Sequence, residues 1–330
     1  MDLILGQFVN GIQKLRTNYY VLCITPVKHL NEVYRLLKKN RGFIYKPYIN
    51  KKNLKLLIKN NKNINAIFCN PNKQGYVLDK NILENTGIRI INTASTGTNH
   101  INLEHCKNLK IKVFSLKEDR KLINNLPSTS ELSFALMISL LKKIVPSYNS
   151  VKNDKTWDYE NFIGQELASL TIGIIGFGRL GKFMAKFCNS FGMRVLIYDK
   201  YKTSKKYQNV SLRYLAKYSN VVSIHVHLKK DTFHLINKNF LDYCTLKPII
   251  INTSRGDIVD ENAIIQYLKQ KKILGYAADV ISDELTNIKK SILIRNINKL
   301  NVLITPHIGG MTEQGQKKAY LWAASKFLKN

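Results

Sequence analysis

Residues 171–199 read TIGIIGFGRLGKFMAKFCNSFGMRVLIYD. Ile172 to Ile175 form a short apolar run suited to a buried parallel strand. Gly176, Gly178 and Gly181 follow with G-x-G-x-x-G spacing. The first glycine permits a tight turn, the second lets a pyrophosphate approach the backbone, and the third lets helix and strand pack closely. Leu180, Met184, Phe187 and Phe191 recur at helical spacing, which predicts a helix that buries this face. Its N-terminal N–H groups and positive dipole end would meet phosphates. Gly192 marks a helix stop, and Arg194 to Tyr198 a second strand that ends at Asp199. That carboxylate falls where an adenine ribose offers its hydroxyls, and it would repel a 2′-phosphate. Three glycines alone mark only a tight turn. With both strands, the helix and the acid in register, they predict an NAD site. Its expected contacts are Gly176, Gly178, Arg179, Leu180, Gly181 and Asp199.

Outward from this segment, the chain alternates strand-like and helix-like stretches. Residues 21–24, 66–69, 88–91 and 111–114 read as strands, with helices over 30–37, 54–58 and around 103–109. Residues 221–226, 249–252, 275–280 and 302–305 read as further strands, and 313–328 as a closing helix. Repeated βα units predict an α/β fold with parallel sheets and helices on both faces. Residues 117–129 are mostly polar, contain Pro127 and read as a linker. Ser128 and Glu131 have capping-box spacing, which predicts a helix running through Val145 and closing before Pro146.

Composition narrows the function classes. A chain of 330 residues has room for two domains. The formal charge of +30 invites a nucleic-acid or membrane reading, yet only 10 of the 52 basic residues are arginine. Arginine is the preferred partner for bidentate phosphate and base contacts. The lysines are spread along the chain, and Lys51, Lys52, Lys55, Lys59 and Lys62 suit one solvated helix face. No specific nucleic-acid partner is expected; small anionic substrates would be attracted. Cys23, Cys69, Cys106, Cys188 and Cys244 show no metal-ligand spacing and read as buried thiols in a reducing compartment. His225 and His227 lack a third ligand, so no metal is expected. No apolar run reaches membrane-spanning length, so no membrane association is expected. Asp2 and scattered polar residues break the apolar core that a secretory leader needs. The start of the chain reads as an amphipathic helix or loose extension, and the expected location is cytoplasmic.

Three more clusters stand at the C-terminal ends of predicted strands, where open α/β sheets bind ligands. They are 252–256 (NTSRG), 279–284 and 305–310 (TPHIGG). Here the chain resembles the D-isomer-specific 2-hydroxyacid dehydrogenases. NTSRGDIVDENAI resembles that family's N-x-x-R-G-x-x-V-D-E-x-A-L, with Ile264 in place of the final leucine. TPHIGG matches its histidine motif, and Trp157 to Leu167 fit W-x(6)-G-x-E-L. The likeness extends from about Tyr20 over nearly the whole chain.

The resemblance implies an NAD-dependent oxidoreductase that moves a hydride between nicotinamide and C2 of a D-2-hydroxy acid or its 2-oxo partner, with 3-phosphoglycerate among the candidates. By motif, Arg255, Glu284 and His307 would do the chemistry. A planar guanidinium can pair with the substrate carboxylate while polarising the adjacent carbonyl. A histidine can protonate the oxygen that becomes an alkoxide, and a carboxylate beside it orients the ring and favours its charged form. The family has proline after this glutamate where Leu285 stands here, and Asp283 is the alternative partner one residue earlier. Asp279 aligns with an aspartate that contacts the nicotinamide carboxamide; a strand-end cap is its other reading. ASTGTN, residues 94–99, resembles the substrate loop, in which Ser95, Thr96 and Gly97 would hold the substrate carboxylate through backbone N–H groups. A plain strand-to-helix turn is the rival reading. Asn99 and Asn102 replace common family aspartates, and His227 stands where the family usually has proline.

The resemblance further implies two doubly wound Rossmann-like domains with an interdomain cleft. Residues 1–120 and 309–330 would form the substrate domain and 121–308 the NAD domain, with hinges near Pro127 and Ile308. The apolar helix over 132–145 would contribute to a homodimer. An NAD(H)-sensing interaction protein on the same fold is the alternative of a different class.

Overall fold

A computed structural model describes residues 17–328, apart from 73, 283 and 285–287. The expected first helix and the alternative residue Asp283 lie outside the described residues. The chain divides into two compact units. One runs to Leu126 and resumes at Glu313, and the other is Pro127–Thr312.

The first unit contains strands β1 (Thr17–Cys23), β2 (Asn40–Tyr45), β3 (Ala66–Cys69), β4 (Ile90–Thr93) and β5 (Lys112–Phe114). They pair in parallel in the order β2-β1-β3-β4-β5. Alternation along each strand serves two cores. Val21, Cys23, Ala66 and Phe68 pack on one face with Ala323 of the closing helix Glu313–Ser325 and with Phe327 just beyond it. Leu22, Ile67 and Cys69 pack on the other with Leu54 and Ile58 of the helix Lys51–Asn60. Strand β2 was not expected. It is an edge strand of mostly half-buried residues, so it lacks the apolar run that marks a central strand.

The second unit holds β6 (Thr171–Ile175), β7 (Arg194–Tyr198), β8 (Gln208–Asn209), β9 (Val221–Ile224), β10 (Ile249–Asn252), β11 (Gly275–Ala278) and β12 (Val302–Ile304). All pair in parallel, in the order β12-β11-β10-β9-β6-β7-β8. Both sheets are therefore doubly wound. In the larger one the order reverses between β6 and β9, and a crevice at such a switch point is where this architecture binds ligands.

Three expectations are corrected. The polar stretch read as a linker carries two helical turns, Leu116–Glu118 and Arg120–Ile123. Its polar residues are caps: Glu118 accepts from the Ser115 N–H, and Asp119 from the Leu122 N–H. The next helix is Ser128–Leu141, and Ser128 does not cap it, because its hydroxyl bonds that of Thr312 at 2.8 Å. The helix stops short because Lys143 is left-handed (φ 52°). A separate helix, Ile144–Asn149, follows and takes Pro146 in its first turn, where a missing N–H leaves no helical bond unmade. Finally, the helix Arg179–Ser190 buries Gly181, Met184, Ala185 and Cys188, whereas Phe191 is exposed. Close contact of Gly181 with the glycine turn rotates that face onto the sheet.

Candidate active site

The glycine turn joins β6 to the helix Arg179–Ser190. Gly176 has φ +96°, a region that strains any side chain, and its N–H donates to the Tyr198 carbonyl at 2.8 Å. A Cβ on Gly181 would lie 2.0 Å from the Gly176 oxygen, so helix and turn meet only through glycine. Gly178, at the N-cap, differs: a Cβ there would meet nothing within 4 Å. Open space therefore fronts the helix N-terminus, where first-turn N–H groups and the helix dipole favour an anion. Arg179 and Leu180 begin this helix and are half-buried; burial holds the Arg179 guanidinium below the ordinary arginine range. At the end of β7, the Asp199 carboxylate accepts from the N–H groups of Phe177 (2.6 Å), Tyr201 (2.8 Å) and Lys202 (3.0 Å). It thus ties the glycine turn to the loop after β7. A diphosphate-linked dinucleotide fits this cradle.

The segment after β10 is built on Asn252, which is fully buried. Its side chain accepts from the Ser254 N–H at 3.0 Å and donates to the Arg255 carbonyl at 2.9 Å. Ser254 donates to the Ile224 carbonyl at 2.9 Å. Arg255 is half-buried, and its guanidinium donates back to the Ser254 carbonyl at 2.6 Å. A Cβ on Gly256 would lie 2.1 Å from the backbone of Ile281 and Ser282, so this turn abuts the loop that leads to Glu284. Buried Glu261 secures that loop by accepting from the Ser282 N–H at 2.7 Å.

His307 and Glu284 meet directly. The His307 Nδ1 lies 2.8 Å from Glu284 Oε1, with the two side chains 48% and 28% exposed. This engagement of Nδ1 leaves Nε2 as the ring nitrogen for a substrate. His307 is left-handed (φ 56°), a conformation that costs a non-glycine residue about 1 kcal/mol or more. Asp279 holds the loop in place. It is 2% exposed; Oδ1 accepts from the Thr305 hydroxyl (2.6 Å) and the Ile308 N–H (2.8 Å), and Oδ2 from the Gly309 N–H (2.7 Å). Its carboxylate is thus committed on both oxygens to the loop carrying His307.

In the other unit, the 95–97 loop leaves β4 half-buried. The Gly97 N–H donates to the Ser95 hydroxyl at 3.0 Å, and the Ser95 carbonyl accepts from the Leu116 N–H at 3.2 Å. Beyond the loop, buried His100 bonds the Thr93 hydroxyl through Nε2 at 3.0 Å. Its Nδ1 is buried without a hydrogen bond, and burial pushes its pKa down to about 4. His225 behaves similarly: Nε2 bonds Ser223 at 2.9 Å, Nδ1 is unpartnered, and burial lowers its pKa to about 3. The five cysteines are buried free thiols. No helix of the described residues is long and apolar enough to cross a membrane.

Sequence reasoning passed over the framework roles of Asn252 and Glu261. Glu261 left a trace: a carboxylate at 261 shares a helix face with Ile264 and Ile265, an apolar face where a charge needs a reason.

Comparison with known proteins places the chain. The sequence model for "D-isomer specific 2-hydroxyacid dehydrogenase, NAD binding domain" matches residues 134–309, and that for the catalytic domain matches 21–121. A glyoxylate reductase of Thermococcus litoralis is 31% identical over 257 residues, which cover 73% of this chain and 73% of the relative. A hydroxypyruvate reductase of Thermotoga maritima is 32% identical over 246 residues, covering 73% of this chain and 77% of the relative. The solved structure of a D-lactate dehydrogenase from Aquifex aeolicus, complexed with NAD and lactic acid, matches with TM-score 0.75 and 26% identity over 93% of each chain.

Proposed function

The chain belongs to the D-isomer-specific 2-hydroxyacid dehydrogenase family, and on that premise we propose that Arg255, Glu284 and His307 carry its reaction. It is an NAD-dependent D-2-hydroxyacid dehydrogenase. NADH, when bound, supplies the hydride for C2 of a 2-oxo acid. The cradle at Gly176, Gly178 and Gly181 would hold the pyrophosphate against the helix N-terminus, with Arg179 and Leu180 in its first turn. Asp199 would face the adenine ribose while keeping its three backbone bonds.

Arg255 would pair with the substrate carboxylate and polarise its carbonyl. Taken by itself, the Ser95–Thr96–Gly97 loop offers N–H donors suited to a carboxylate, with Gly97 exchanging its Ser95 bond for such a ligand. His307 would deliver the Nε2 proton to the carbonyl oxygen, and Glu284 would balance the imidazolium through Nδ1. In the reverse direction neutral His307 takes the proton. The observation that carries this reading is the 2.8 Å Glu284–His307 contact on a strained loop pinned by Asp279. Asp279, so engaged, serves chiefly to position His307, and any nicotinamide contact would be additional.

The substrate is a small anionic 2-oxo acid, an assignment supported by the net charge of +30. Glyoxylate and hydroxypyruvate lead because two relatives are named for them, followed by 3-phosphohydroxypyruvate. The sensor alternative gains no support from these relatives. A homodimer is supported by apolar side chains exposed between 144 and 163, among them Trp157 (89% exposed), Tyr159 (78%) and Ile163 (74%). Cytoplasmic location is part of the same proposal, resting on the buried free thiols. The test is NADH oxidation by the purified protein against a panel of 2-oxo acids, with NADPH for comparison. Turnover with NADH on a small 2-oxo acid is expected. NADH binding without turnover on any acid would overturn the assignment.

A further inference from the structure

The helix Ser128–Leu141 carries buried hydroxyls among its apolar residues. Thr129 donates to the Gly309 carbonyl at 3.2 Å, and Ser130 to the Leu180 carbonyl at 2.9 Å. Ser133 donates to the Thr129 carbonyl at 2.8 Å, so its oxygen accepts from the Thr253 hydroxyl at 2.6 Å. Ser130 and Ser133 are fully buried. The targets belong to three separate segments: the loop of His307, the first turn of the dinucleotide helix, and the strand end that precedes Arg255.

Packing alone does not account for these residues. Beyond Ser128, the other buried positions are filled by Leu136, Met137, Leu140 and Leu141, and alanine would suit the helix better than serine or threonine. A buried hydroxyl is costly unless it is hydrogen-bonded, and those of Ser130 and Ser133 are, as is that of half-buried Thr129. Resting on the function proposed above, we propose that Thr129, Ser130 and Ser133 are positioning residues that hold the three segments in fixed register for proton and hydride transfer. Catalytic geometry must be kept within about 0.5 Å, and supporting hydrogen bonds from a rigid helix can provide that.

The test uses Thr129→Val, Ser130→Ala and Ser133→Ala in the full chain, with Thr129→Ser as the conservative rescue. Hydrogen exchange should rise about fivefold in one segment per variant: 305–311 for Thr129→Val, 176–182 for Ser130→Ala and 252–258 for Ser133→Ala. The kinetic signatures should separate likewise. Thr129→Val shifts the pH profile of kcat, Ser130→Ala weakens NADH binding about fivefold, and Ser133→Ala raises KM for the 2-oxo acid at constant NADH affinity. Thr129→Ser should behave as the wild type. Equal loosening of all three segments in every variant, or no loosening in any, would overturn the proposal. Absence of wild-type turnover would overturn the functional reading instead, and exchange and NADH affinity would still decide the role of the helix.

Discussion

The loops that follow the strands are anchored differently in the two units. In the seven-stranded unit, buried Asn252, Glu261 and Asp279 each fix a loop through an amide or carboxylate. In the five-stranded unit, the 94–99 loop has lighter ties: Ser95 to Gly97 on one side, and His100 to Thr93 on the other. Thr93 donates onward to Asn70, and Asn70 to the Tyr320 hydroxyl. The difference fits the role proposed for each loop. Proton and hydride transfer depend on the placement of single atoms. Holding a carboxylate by several N–H groups tolerates small shifts, because the ligand can settle among donors.

The largest expected effect tests the heavily anchored side. His307→Asn should lower kcat by about 10²–10⁴-fold while leaving NADH affinity near wild type, as measured by steady-state kinetics and fluorescence titration. A loss below tenfold would break the contrast.

Next comes the lighter anchor, whose weak point is pH. Thr93 donates to Asn70 and so accepts from the Nε2–H of His100, which leaves Nδ1 as the buried bare nitrogen. The folded state resists protonation until pH about 4, whereas the unfolded chain takes a proton near 6.5. Stability from this residue is therefore complete above pH 6.5 and falls as pH drops toward 4, by roughly 3 kcal/mol. Urea unfolding of wild type and His100→Gln at pH 7 and pH 4.5 should show a shallower pH dependence in the variant.

Two glycines then separate packing from binding. Gly181→Ala should cost about 1–3 kcal/mol, because its Cβ collides with the Gly176 oxygen. Gly178→Ala should leave Tm unchanged and raise the Kd for NADH about tenfold, since its Cβ points into open space. If Gly178→Ala lowered Tm and left Kd alone, the cradle would be wrongly placed. The smallest effect is on the light side: Ser95→Ala removes one hydrogen bond, worth about 1 kcal/mol, and should change KM for the 2-oxo acid severalfold with kcat nearly constant.

Much of this protein is local and therefore legible. The run from Thr171 to Asp199 places strand, turn, helix and acid within one supersecondary unit, and Gly181 is required there by the Gly176 oxygen, five residues earlier in the chain. Buried central strands such as Ile249–Asn252 also stand out as apolar runs. Strand β2 did not, because an edge strand needs no such run. The polar caps at Glu118 and Asp119 looked like a linker, because capping residues and loop residues are the same types.

By itself, the sequence determined the α/β class, the dinucleotide turn and the family, since these rest on spacing within short segments. Tertiary structure put the motif pair Glu284 and His307 in contact, and it alone decided that Asp279 grips the 305–309 loop and that Thr129, Ser130 and Ser133 reach three different segments. Those contacts join residues 23 to 180 positions apart. Apart from Glu284 and His307, which the family motifs name, no period or motif encodes such pairs. They arise only when strand ends gather along one edge of a sheet, and a helix lies across them.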